Sequence, residues 1–297
     1  MSKVKIEYTQ FAKILKADVV NVYHLKQFFK KEDIDFDEFG NIFIGFNDKT
    51  KGLPILVAHT DNVLGPEKEP VFDLNRRCIK GIKNGIGFDD KAGIMAIISL
   101  WHHFKDQKFR IIFPADEETG GEGSKMISPE IYSDAKWILE LDRKSNKDFI
   151  QVSGGERLCS DEFAEKFLDM GYELADGLFT DVNIFKPLAE HVNMANISIG
   201  YYNPHTDNEF LDTVAFENTV DRVAEFIEQD YTFEDDVPDD KTTSQYDYTT
   251  CFHNNKICEY CGGDCTGTVI YNRYGERFCC KECMEAFEKE YTNEYGL

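Results

Sequence analysis

The sequence predicts an α/β fold, one sheet covered by helices on both faces, with a small cysteine-rich module after it. Two patterns carry this. Short apolar runs recur at 41–46 (NIFIGF), 53–58 (LPILVA), 109–113 (FRIIF), 137–141 (WILEL) and 196–201 (NISIGY). They are apolar on both faces, as strands inside a covered sheet are. Helical patterns alternate with them. Segment 91–104 (KAGIMAIISLWHHF) is apolar nearly all round, which predicts a buried helix. Segment 212–229 is amphipathic, with Val220, Val223, Phe226 and Ile227 at helical spacing. A hydrophobic fraction of 42% and 24 Phe among 297 residues are ample for the core this needs.

Composition divides the chain into three. Residues 1–229 read as one large domain. Residues 230–252 read as a linker, because 230–247 holds seven acidic residues and few aliphatics. Residues 253–297 read as the cysteine-rich module. Of nine cysteines, Cys78 and Cys159 stand alone and seven lie between Cys251 and Cys283. Such clustering in a reducing compartment points to metal binding rather than to disulfides. The formal net charge of −22 repels phosphates, so neither nucleic acid nor an anionic membrane is a natural partner. The opening MSKVKIEYTQ lacks the apolar run of a secretory signal, and no stretch is apolar enough to span a bilayer. A soluble, cytoplasmic protein is expected.

Five polar sites stand where the predicted strands end or the buried helix begins, and ligands of open α/β sheets bind at strand carboxyl ends. His59-Thr60-Asp61 follows LPILVA. Residues i and i+2 of an extended chain face the same way, so His59 can ligate a metal with Asp61 behind it. Asp89-Asp90 opens the buried helix, and one of these carboxylates can bridge two cations. Asp116-Glu117-Glu118 follows FRIIFPA. Three consecutive acids repel one another unless a cation or proton offsets them. Asp142 follows WILEL, and His205 follows NISIG. Singly, each has an ordinary explanation: a turn, a helix cap, a solvated acidic loop, a surface ion pair, a structural histidine. Together, two imidazoles and three carboxylates are a suitable ligand set for two zinc ions, and a spare carboxylate can act as base.

The segments VAHTDNV, GIGFDDKAGI, PADEETGGEGS, LELD and YYNPHT resemble, in order and local context, the zinc exopeptidases of the M20, M28 and M42 families. The resemblance implies a three-layer fold with a mixed sheet and a catalytic domain over 1–229. It implies that His59 and Asp142 hold one zinc, that Glu118 and His205 hold the other, and that Asp89 bridges both. It also implies a cis Asp89–Asp90 peptide, Glu117 as general base and acid, and Asp61 orienting His59 through its far ring nitrogen. M20 enzymes insert a lid domain before the last histidine. Only 62 residues, 143–204, separate Asp142 from His205 here, so a single-domain plan is expected. Thr180-Asp181 resembles a pair near the site in relatives, and a plain helix cap explains it equally well.

In the module, Cys258-Glu-Tyr-Cys261 has zinc-knuckle spacing, and Cys279-Cys280-Lys-Glu-Cys283 leads into a helical pattern. FCCKECMEAF resembles the FCSKEC segment of small treble-clef fingers, which implies Cys279 and Cys283 as the second ligand pair. Generic CxxC spacing admits Cys280 instead. Four thiolates close a structural zinc site, and so short a module needs a metal to fold. Its expected use is protein binding or self-association.

The resulting expectation is a hydrolase with two Zn2+ ions (Co2+ or Mn2+ can serve) that cleaves small peptides as an aminopeptidase or di/tripeptidase. The alternatives are a deacylase of N-acyl amino acids or other small amides, and a protein-binding module that uses the finger.

Overall fold

A computed structural model describes residues 3–64, 69–73 and 75–233, together with two short strands near the C-terminus. The chain divides into two compact units, Met1–Pro238 and Asp239–Leu297. In the second, strands Ile270–Tyr271 and Arg277–Phe278 pair antiparallel. Cys258, Cys261, Cys279 and Cys283, the structural zinc predicted on them, and the linker beyond Phe233 lie outside the described residues.

Among its described residues the first unit contains thirteen strands. They are β1 (Ile34–Phe36), β2 (Ile42–Ile44), β3 (Ile55–Val57), β4 (Pro70–Asp73), β5 (Cys78–Gly81), β6 (Arg110–Phe113) and β7 (Ile138–Arg143), followed by β8 (Asp148–Ser153), β9 (Glu156–Arg157), β10 (Glu173–Gly177), β11 (Met194–Ser198), β12 (Tyr201–Tyr202) and β13 (Phe210–Asp212). The main sheet runs β1-β2-β6-β3-β7-β11-β8-β10, with β9 beside β8. It is mixed: β6, β3, β7 and β11 are mutually parallel, whereas β2 and β8 run against their neighbours β6 and β11. The carboxyl ends of β3, β6 and β7 therefore share one edge. A second, antiparallel sheet has the order β12-β13-β5-β4. Each predicted strand overlaps an observed one.

Alternation along the strands builds two cores. Leu56, Ile111, Phe113, Leu139 and Leu141 face one side, where α1 (Ala12–Lys16), α2 (Val22–Leu25), α3 (Phe88–His103), α4 (Asp161–Asp169) and α6 (Thr213–Gln229) cover them. Ile55, Val57, Ile112 and Ile138 face the other, under Tyr132, Val182 and Phe185. That face is covered by short pieces, α5 (Asp181–Phe185) and 3-10 turns, rather than by long helices. The predicted three layers are present, with one helical layer much thinner. Helix α3 is buried from Ala92 to Leu100, as its all-round apolar sequence requires. Helix α6 starts where the Asp212 carboxylate accepts from the amides of Val214 (2.8 Å) and Ala215 (3.1 Å).

Phe226 of α6 sits among Trp137 (centroids 5.0 Å), Phe167 (4.5 Å) and Phe163 (5.6 Å). Tyr231 and Phe233 continue this cluster, at 5.4 Å from Phe226 and 4.9 Å from Phe163 respectively. Phe226→Ala is expected to lower unfolding free energy by about 3–5 kcal/mol, read from urea melts.

Lys186 is 3% exposed, and its ammonium donates to the carbonyls of Glu190 (2.6 Å) and Val192 (2.8 Å). Burial lowers its pKa to about 8. Above that pH the folded chain releases a proton that the unfolded chain keeps to roughly 10.4. The unfolded state then binds more protons, so stability rises with pH across that window, by on the order of 3 kcal/mol. Urea melts between pH 8 and 10.5 should show this rise, and Lys186→Met should remove it.

The 62 residues between Asp142 and His205 form β8 to β12, α4 and α5; β8 to β11 belong to the main sheet and β12 to the antiparallel one. They lie within the compact unit Met1–Pro238. Among the described residues no helix is long and apolar enough to cross a membrane.

Candidate functional site

The parallel order of β6, β3 and β7 brings three of the predicted sites to one edge. His59 lies two residues past β3 and is fully buried. Its neighbour Thr60 fixes the turn, taking a bond from Val20 N (2.9 Å) and donating its amide to Pro114 O (2.9 Å). The His59 Nε2 atom stands 3.1 Å from Asp89 Oδ1 and 3.7 Å from Asp142 Oδ1. On the far side of the ring, Nδ1 is 3.3 Å from Asp61 Oδ1, without the alignment of a regular hydrogen bond. Asp61 does more than back the ring. Its two oxygens accept the amides of Glu117 and Glu118, each at 3.1 Å. One carboxylate thus ties the β3 turn to the β6 turn.

Asp142 departs from the sequence reading, because it lies inside β7 rather than beyond it. The β7–β11 register shifts there: Asn196 pairs with Glu140, but Ser198 pairs with Arg143. This is a bulge, a device that re-aims a side chain beside a site. The Asn196 side chain makes good the broken ladder, accepting from Asp142 N (3.0 Å) and donating to Asp142 O (3.2 Å). The Tyr201 hydroxyl donates to Asp142 Oδ1 at 3.2 Å.

The Asp89–Asp90 peptide is cis. Of this pair, Asp89 faces the centre. Its Oδ2 is 3.1 Å from His205 Nε2, while Asp90 turns into the helix and accepts the amide of Gly93 (2.9 Å). His205 lies beyond β12, in the loop before β13, with its side chain 48% exposed and its Nε2 3.0 Å from Glu118 Oε1.

Two groups of donor atoms therefore share Asp89: His59, Asp89 and Asp142, and Asp89, Glu118 and His205. A third, His59, Glu117 and Glu118, places Glu117 against both, and within each group the atoms lie within 4.8 Å. The seven residues His59, Asp61, Asp89, Glu117, Glu118, Asp142 and His205, to which the resemblance gave roles, meet here.

The electrostatics test whether cations fit. Burial raises the Asp142 carboxyl well above its ordinary range, and the charges of Asp89 and Asp90 raise it further. Burial raises Glu117 to about 9; His59 offsets part of this, while Asp181, Glu140 and Glu118 add to it. Burial opposes charge on His59, but Asp142, Asp61 and Asp89 prevail and its pKa stands well above normal. Hydrogen bonds to Asp89 and Glu118 raise His205 to about 10. Asp89 and Asp61 are the exceptions: burial disfavours charge on each, yet both imidazoles hold the Asp89 carboxyl, and His59 holds that of Asp61, below the usual range. Buried carboxylates so short of positive charge recruit protons, and divalent cations bound by the same oxygens and nitrogens would replace those protons. The donor set of imidazole and carboxylate suits zinc, cobalt or manganese.

Several polar residues at the site escaped the sequence reading. Glu140 is fully buried and accepts from the Thr180 hydroxyl and from the amides of Asp181 (3.2 Å) and Val182 (3.3 Å). Burial, then the charge of Asp181, raises it to about 8. Asp181 accepts from Ser124 Oγ at 2.6 Å. Thr180 makes no side-chain cap of α5; its hydroxyl goes to Glu140 instead, and the charges of Asp181 and Glu140 both act on Glu117. The available signal was Glu140 itself, an acid inside the apolar run WILEL. Glu209 also went unread; it is 1% exposed and binds the backbone leading to Asp89. A cavity of about 480 Å³ borders the His205 loop at Asp207–Phe210, but no candidate ligand lines it.

No family model matches the chain, and no curated protein sequence matches it. Solved structures do. A tripeptidase from Staphylococcus aureus subsp. aureus Mu50 superposes with a TM-score of 0.59 at 13% identity, covering 74% of this chain and 96% of that one. Aminopeptidase PepT from Bacillus cereus also gives 0.59 at 13%, over 74% and 97%. The Pyrococcus horikoshii TET1 peptidase gives 0.58 at 13%, over 74% and 98%. At such identities the likeness establishes the fold: the chain has the mixed α/β architecture of these peptidases.

Proposed function

We propose that the first unit is a metal-dependent exopeptidase acting on small peptides, as an aminopeptidase or di/tripeptidase. The observation that carries this is the pair of donor groups joined through Asp89, with Glu117 beside both. His59 and Asp142 would hold one cation, Glu118 and His205 the other, and Asp89 would touch both, with zinc the best fit to the ligands. Bound there, the cations supply Lewis acidity toward a peptide carbonyl and lower the pKa of water. The chain's own residues do the rest. Glu117 takes a proton from the attacking water and returns it to the departing amine. Asp61 keeps Glu117 in place through its backbone amide and backs the far nitrogen of the His59 ring at 3.3 Å. The peptidase structures of the same fold support peptide as substrate, and deacylation of an N-acyl amino acid would use the same chemistry.

Dipeptides and tripeptides with free and acetylated amino ends separate these readings. Hydrolysis of the free-amino peptides is expected, and cleavage of acylated substrates alone would overturn the exopeptidase reading.

A further inference from the structure

We infer that Glu209 is a positioning residue for Asp89, the carboxylate shared by both donor groups. The inference rests on the proposed two-cation reading of that centre. Glu209 Oε2 accepts the amides of Ile86 (3.0 Å) and Gly87 (2.6 Å), and Oε1 accepts the amide of Asp89 itself (3.2 Å). These donors precede or open α3, where amides have no partner within the helix. One buried carboxylate therefore satisfies three of them and fixes the backbone from which the Asp89 side chain departs.

Packing closes the same segment from two sides. A Cβ on Gly85 would collide with Thr206 O and stand 3.3 Å from Glu209 Cβ. Gly87 has φ +75°, and a Cβ there would stand 2.7 Å from Asn62 Oδ1. Residues 85–89 are thus threaded between the loop that follows His59 and the loop that follows His205. Glu209 belongs to the latter, four residues beyond His205. A single loop then delivers one imidazole to Asp89 Oδ2 and clamps the main chain of Asp89. The two halves of the centre hold their spacing through Glu209.

The test is a titration of Mn2+ into the full chain, with free Mn2+ counted by electron paramagnetic resonance. Mn2+ favours carboxylate over thiolate donors, so it reads this centre rather than the cysteines. The wild type should bind two per chain. Glu209→Gln, which keeps the shape but turns a donor toward an amide, should weaken at least one by roughly 10–100-fold. Glu209→Asp, which keeps the charge but falls short, should weaken it in the same direction and decides the matter if the Gln variant does not fold. Phe226→Ala, destabilised but remote, should retain both affinities. Unchanged affinity in the Glu209 variants, or an equal loss in Phe226→Ala, overturns the inference. A wild type that binds two Mn2+ yet cleaves no peptide overturns the peptidase reading, and the Glu209 comparison still decides this one. A wild type that binds no Mn2+ overturns both.

Discussion

Glu117→Gln should lower kcat on a free-amino dipeptide by about 10²–10⁴-fold, the range over which a positioned general base acts. The cation content should stay as in the wild type. The geometry sets this expectation. Glu117 lies against the donor groups but is not needed to complete either of the two that share Asp89. Its backbone amide is bound by Asp61, so exchanging the side-chain oxygen for nitrogen leaves the turn in place. Burial and the nearby Asp181, Glu140 and Glu118 carboxylates destabilise its charge, and Gln removes that burden. The variant should therefore be at least as stable as the wild type to heat. Loss of activity together with loss of metal would place Glu117 among the ligands instead.

Asp89→Ala should abolish activity by a different route, through the cations themselves. Asp89 offers Oδ1 to the His59 side and Oδ2 to the His205 side, at 3.1 Å in each case. Its removal takes a donor from both groups at once. Affinity for both cations should fall by more than the roughly 10–100-fold that loss of an outer hydrogen-bond partner costs. Asp142→Ala and Glu118→Ala should each weaken chiefly one. That graded pattern, read by titration with Zn2+ or Mn2+, is what a shared carboxylate requires. Equal effects of all three substitutions would argue for a single-ion site.

The strands and helices that position this centre were legible because burial imposes a pattern on sequence. NIFIGF, LPILVA, FRIIF, WILEL and NISIGY are apolar on both faces, and each overlaps a strand of the main sheet. The antiparallel sheet of β4, β5, β12 and β13 went unread, because its strands are short and partly exposed and carry no such run. Helix α4 went unread for want of length. The donors were legible where they come within a few residues of a strand end, as His59 and Glu117–Glu118 do. Asp142 was found but misplaced, since a bulge shows in neither composition nor period. Asn196, Tyr201 and Glu209 act through the backbone or through another side chain. Their partners are distant in sequence, 54, 59 and 120 residues away in the cases of Asp142 and Asp89, so no local spacing announces them.

The central claim is that two cations at the shared-carboxylate centre make this chain a peptidase. Reconstitution tests it most directly. The full chain is stripped with a chelator, zinc is returned in measured equivalents, and bound zinc and dipeptide hydrolysis are followed together. Hydrolysis should vanish on stripping and return as the centre fills, with three zinc per chain at the end when the cysteine module takes one. Undiminished hydrolysis in the stripped chain, or full activity with a single zinc bound, would contradict the claim.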